Sequence, residues 1–254
     1  MKRLLTLAEM ILDIAKNRRG LGAEPSGGDE PPGDTPARVF SAATAELARE
    51  LEGEGFRYTR SQNLLHRASA EFGHRIAFQS SHDNKRGRRV ALWIHATVRS
   101  DLVTTWKASQ GIPGDAGFFA GGQIGNLVEP PRWFDWDLAS VATRDALVQD
   151  ALQAIRDVAL PFFARFSSKA SALETLGSCP ILGVEPEQAI ELALALDRKD
   201  LADQVLGRFF KQRPELLPEF LRFVEDPTSR PKFANSASRL AVIAAAHELE
   251  NPRP

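Results

Sequence analysis

Between Val90 and Arg99 two sets of side chains alternate without a break. Val90, Leu92, Ile94, Ala96 and Val98 form one set; Ala91, Trp93, His95, Thr97 and Arg99 form the other. A period of two marks an extended strand, because successive side chains leave a pleated backbone on opposite faces. The backbone N–H and C=O groups of a strand need partners on neighbouring strands, so this segment commits the chain to a sheet. The predicted strand, Arg89–Val98, has one apolar face and one face carrying Trp93 and His95. Ile76 and Phe78 repeat the pattern in a strand over Gly73–Ser80, with Arg75 and Gln79 on the opposite side. The connection His82-Asp83-Asn84-Lys85-Arg86-Gly87-Arg88 is polar and contains a glycine, as a hairpin loop requires. A third strand is predicted over Phe56–Arg67, and Gly121–Val128 reads as a fourth, closed by Pro130-Pro131.

On either side of this block the period becomes helical. Val39, Phe40, Ala43, Leu47 and Leu51 define one face of a helix over Arg38–Glu54, stopped by Gly53 and Gly55. A helix starts at Val141, with Leu147, Ala151, Ile155 and Val158 on one side and Pro161 near its end. Beyond about Val184 the pattern predicts helices from Pro186, from Asp200, over Pro214–Asp226 and over Ser236–Glu250. The fold class is α+β: an antiparallel sheet of three to five strands packed with helices, followed by an all-helical C-terminal region. Four segments follow from the same reading. Residues 1–19 form a short amphipathic helix (Leu4, Leu7, Ile11, Ile14), 20–37 a Gly-, Pro- and acid-rich linker, 38–175 the α+β domain, and 176–254 the helical C-terminal region.

At 254 residues, 43% of them hydrophobic, the chain can bury a proper core, and a net charge of −1 provides no global field for nucleic acid or an acidic membrane. Glu9 and Asp13 interrupt the apolar start after Met1-Lys2-Arg3, against a signal peptide, and no later run is long enough to span a bilayer. The single cysteine, Cys179, has no disulfide partner in the chain and fits a reducing, cytoplasmic compartment.

The charge is unevenly distributed. Residues 55–100 carry nine Lys or Arg against two Asp or Glu, a local balance of +7 opposed by −8 over the rest. Alternation places Arg75, Gln79, Trp93 and His95 on one sheet face, with Arg88 and Arg89 entering from the hairpin loop. Cations beside an aromatic on an open sheet suit an acidic protein partner, or single-stranded nucleic acid through phosphate contacts and stacking. The simpler reading is a solvated face whose charges pair with acidic helices of the same chain. The aromatic group Phe118, Phe119, Trp133, Phe134 and Trp136 reads as core or sheet-edge cover. His66, His74, His82 and His95 lack metal-ligand spacing, so no metal and no cofactor are expected. Asp135 and Asp137 are two carboxylates without a second wall to a site, and Asp137 reads as a helix cap or a solvated acid. Gly121-Gly122-x-x-Gly125 lacks the Lys-Ser/Thr of a phosphate loop and reads as a bulge or strand start.

Several short motifs in the middle of the chain carry a resemblance. They are Gly55-Phe56 after a helix, Arg60 and Arg67 on a strand, and Ile76-Ala77-Phe78-Gln79-Ser80. Next come Leu92-Trp93-Ile94-His95, Gly125-Asn126-Leu127, Trp133-Phe134-Asp135-Trp136 and Leu160-Pro161-Phe162-Phe163. Over roughly residues 38–170 the chain resembles the bacterial family called domain of unknown function 4304. The resemblance implies a sheet-and-helix fold and implies no activity.

The expected function is that of a non-enzymatic bacterial interaction protein, of immunity or regulatory type. It would bind an acidic protein partner through Arg75, Gln79, Arg88, Arg89, Trp93 and His95. Two alternatives stand beside it: a single-stranded nucleic-acid-binding module, and an enzyme of unrecognised type using His74, His95 or Asp135. No catalytic residue is assigned.

Overall fold

The computed structural model describes residues 34–69, 71–111, 117–178, 181–226, 228, 235–250 and 252. The expected helix over 1–19, residues 20–33 of the expected linker and Cys179 lie outside the described residues. The fold is α+β, an antiparallel sheet with most of the helices in the C-terminal half. Five strands follow one another across the sheet: β1 (Arg57–Thr59), β2 (Leu64–Ala68), β3 (Phe72–Ser80), β4 (Ala91–Ser100) and β5 (Phe118–Gln123). A two-residue strand, β6 (Trp136–Asp137), pairs with β4 at Leu92 and Ala91. Among the described residues no helix is long and apolar enough to cross a membrane.

The described residues divide into two compact units. The first comprises those up to Arg67, His74–Thr97 and Gly122–Pro161; the second comprises Ala68–Gly73, Val98–Gly121 and those from Phe162 onward.

In the first unit, helix α1 (Pro36–Leu51) starts where the Thr35 side chain accepts from the Arg38 backbone N–H and Pro36 occupies the first turn. It starts two residues before the predicted Arg38. It ends through a 3₁₀ turn at Gly55, whose φ of 81° is the left-handed conformation that favours glycine. The segment read as one strand, Phe56–Arg67, is instead a hairpin. Arg60–Gln62 make a 3₁₀ turn, Asn63 takes a left-handed conformation, and Arg57 pairs with His66 and Thr59 with Leu64. Asparagine tolerates that conformation, so the chain can reverse where a period-two reading continues.

Helix α3 (Val141–Ala154) packs with α1, and Arg144 reaches Asp34 at 3.0 Å. A π-helical turn, Ile155–Ala159, follows, and the helical path continues as α4 (Leu160–Ala164). The turn lies just ahead of Pro161. A proline has no N–H to bond back and its ring crowds the carbonyl four residues earlier, so widening the helix there accommodates it. The core of this unit holds Leu47, Leu51, Leu65, Ile76, Leu92, Ile94 and Ile155, all fully buried.

In the second unit, helix α2 (Asp101–Ser109) follows β4 directly. The sequence reading missed it, although the Ser100 hydroxyl caps it by accepting from the Val103 N–H. The remaining helices are α5 (Lys169–Gly177), α6 (Pro186–Ala195), α7 (Lys199–Gln212), α8 (Leu217–Glu225) and α9 (Ser236–His247). They pair chiefly as α6 with α7 and α8 with α9. Phe166 joins Phe72, Phe119 and Phe162 in one aromatic cluster with centroids 5.1–6.2 Å apart. Lys107 on α2 and Glu191 on α6 form an ion pair at 2.8 Å, with side chains only 9% and 13% exposed.

Candidate functional site

The hairpin between β3 and β4 is a closed loop. The Asn84 amide donates to the Ser80 hydroxyl at 2.8 Å and its carbonyl accepts from the Ala91 N–H at 2.9 Å. Gly87 turns the chain at φ 64°, and Lys85 and Arg89 exchange a backbone bridge. Lys85, Arg86 and Arg88 are thereby held exposed. Arg89 turns the other way: its Nη2 reaches Asp135 Oδ2 at 2.5 Å. The other Asp135 oxygen accepts from Trp93 Nε1 at 3.1 Å. Asp135 therefore ties the basic loop to the sheet aromatic, and both of its oxygens are engaged.

The residues that follow the β5 turn complete the arrangement. Gln123 donates to the Phe134 carbonyl and accepts from the Gly125 N–H, each at 2.6 Å. Gly125 in turn accepts from the Arg132 N–H at 2.9 Å. The backbones approach so closely that a Cβ on Gly125 would lie 1.8 Å from the Arg132 carbonyl oxygen, which only glycine permits. This seats Trp133 edge-on against Trp93, centroids 5.7 Å apart, while leaving it 53% exposed. Next to it the Arg132 guanidinium covers Phe134, Phe134 stacks on Trp136, and Trp136 Nε1 donates to Asp150 at 2.7 Å. Asp137 neither caps a helix nor meets solvent alone. Its Oδ1 accepts from the Val90 and Ala139 N–H groups, fastening β6 to β4.

The face expected to be an open strip is not uniformly open. On β4, Ala91, His95 and Thr97 are 0%, 4% and 9% exposed, so both faces of the strand are covered where one was expected to be polar. A central strand has neighbours at both edges, and alternation says which side chains share a face without saying what covers it. Arg75 and Gln79 are half-buried, and Gln79 Oε1 is inaccessible without a hydrogen-bond partner. His95 has no partner on either ring nitrogen, and burial pulls its pKa down to about 4, so the ring is neutral. Of the six candidate residues the structure joins Arg89 and Trp93 through Asp135 and leaves Arg88 exposed beside them.

His74 shares its face of β3 with buried Phe72, Ile76 and Phe78, and Arg67 donates to its Nδ1 at 3.2–3.4 Å. Arg67 also donates to the Glu54 carbonyl and lies over the Phe56 ring. That is a structural tie between β2, β3 and the turn after α1. A Cβ placed on Gly73 would lie 3.8 Å from Arg99 Cβ, so odd-numbered residues of β3 and β4 share a face. His74 and His95 consequently lie on opposite faces, and with Asp135 already engaged the three do not assemble one site. Among the described residues no group of three or more His, Cys, Asp or Glu is arranged to hold a metal ion.

Trp133 is the residue the sequence reading undervalued by grouping it with core aromatics. Its signal was position: it follows Pro130-Pro131-Arg132, outside any alternating or helical pattern that would bury it. No family model, curated protein or solved structure matches the chain.

Proposed function

We propose that this chain is a non-enzymatic interaction protein that binds an acidic protein segment at Trp133 and the neighbouring basic hairpin loop. The supporting observation is an exposed tryptophan that is nevertheless fixed. Trp133 leans on Trp93, Trp93 is held by Asp135, and Asp135 is held by Arg89. A large aromatic fixed before binding loses little conformational freedom on contact, and Trp and Arg dominate the energetics of interfaces. Lys85, Arg86 and Arg88 supply positive charge beside it. Among the described residues Trp133 is the one exposed Trp, Tyr or Phe ring, and a single ring offers no row on which successive bases could stack, which favours an acidic protein segment over single-stranded nucleic acid. The resemblance to the bacterial family called domain of unknown function 4304 goes with a bacterial, cytoplasmic setting, and the immunity or regulatory version rests on analogy between folds.

A displayed random-peptide library selected on the full chain at low salt tests the reading. Selected peptides are expected to be rich in Asp and Glu around an apolar residue. Trp133→Ala should weaken them by about thirtyfold, the scale of a hot-spot residue, and Arg88→Glu by about tenfold. Peptides that bind both variants as tightly as wild type, or a single-stranded oligothymidylate bound more tightly than any peptide, would overturn it.

A further inference from the structure

In the second unit α6, α7 and the residues Ser178, Ile181 and Val184 border a cavity of about 190 Å³, partly open to solvent. Ile181, Val184, Ala189, Val205 and Phe209 make most of its wall apolar, and Ser178, Gln212 and Arg208 supply its polar lining. Arg208 is half-buried. Its Nη1 donates to the Gly177 carbonyl at 2.6 Å and its Nη2 to the Leu176 carbonyl. Both acceptors are the last carbonyls of α5, which carry only the partial negative charge of a helix C-terminus. Among the described residues no carboxylate pairs with this guanidinium, and two of its groups are engaged by these bonds. A guanidinium offers five donors in all.

The size selects the ligand. Pockets for larger organic ligands run to roughly 300–1,000 Å³, whereas an apolar cavity of about 150 Å³ accommodates benzene. The body that fits is a single ring or an alkyl chain of about six carbons. The charge selects the head group: one guanidinium with remaining donors matches a carboxylate, whose two oxygens accept side by side. We propose that this cavity binds small monocarboxylates with a compact apolar body. The hydrocarbon lies against Ile181, Val184, Val205 and Phe209, and the carboxylate meets Arg208.

Titrating the full chain with hexanoate and with 1-hexanol, followed by NMR shifts and calorimetry, tests this on the wild type alone. Hexanoate is expected to saturate one site and to bind at least tenfold more tightly than 1-hexanol. Arg208→Met should abolish that preference while retaining hexanol binding. Because Arg208 also holds the end of α5, a second variant is included: Val205→Phe, which fills the cavity without touching charge, should remove binding of both. Equal binding of acid and alcohol to the wild type, no saturable site up to roughly 10 mM, or hexanoate binding undiminished in Val205→Phe would each overturn the proposal.

Discussion

At neutral pH His95 is an uncharged ring in the middle of the sheet, and acid is expected to turn that into a liability. Its folded pKa of about 4 lies below the ordinary 6.5, so between those values the unfolded chain binds more protons than the folded one. Stability from this group is complete above pH 6.5 and is lost as pH falls toward 4. By pH 4.5 the loss should reach about 2.5 kcal/mol. Urea unfolding at pH 7.5 and 4.5 should show that much more acid sensitivity in the wild type than in His95→Leu. Glu187 acts with the opposite sign. Its carboxylate is buried, and Arg239 Nε approaches to 3.0 Å without hydrogen-bond geometry. Desolvation outweighs that cation and raises the pKa. The folded form therefore binds protons more readily, and the contribution of Glu187 falls as pH rises through the raised value. Glu187→Gln should flatten that slope in the pH profile of unfolding. Gly125→Ala should be the most disruptive single methyl in the first unit. It places a carbon against the Arg132 carbonyl and should cost more than about 3 kcal/mol, with the near-ultraviolet signal of Trp93 and Trp133 lost in parallel.

Among the elements, the contact of α2 with α6 rests partly on one buried ion pair. Removing one partner of such a pair leaves an unpaired buried charge, whereas removing both can be nearly neutral. Lys107→Met is expected to destabilise by about 3–5 kcal/mol, and Lys107→Met with Glu191→Leu to recover most of it. A double-mutant cycle in urea decides this; single and double variants equally destabilised would mean that the pair does not organise the contact. α2 is not legible in the sequence: the nine-residue helix follows a strand with no intervening turn residue, so no turn chemistry marks the boundary. The hairpin in the predicted first strand was hidden for a related reason. Its reversal uses Asn63 in a left-handed conformation and no glycine or proline.

For the molecule as a whole, the unequal charge distribution matters more than the net charge of −1. If the basic hairpin loop draws an acidic segment, association with the selected peptides should slow steeply between low and physiological salt, while dissociation, governed by Trp133, should change little. Stopped-flow rates at a series of ionic strengths separate the two, and a salt dependence confined to dissociation would contradict that division of labour.

Period-two and helical patterns in the sequence were enough to establish the α+β class, the order of most elements and the sharing of a face by Trp93 and His95, because those follow from local backbone geometry and burial of apolar side chains. Exposure was not determined there. His95 is buried although it shares its face with the partly exposed Trp93, and Trp133 is exposed where residues distant in the chain meet: Asp135 with Arg89 and Trp93, and the Arg132 carbonyl with Gly125. Only the tertiary structure decides which residue of a face meets solvent, since that depends on what lies over it, and no periodicity along one segment encodes its cover.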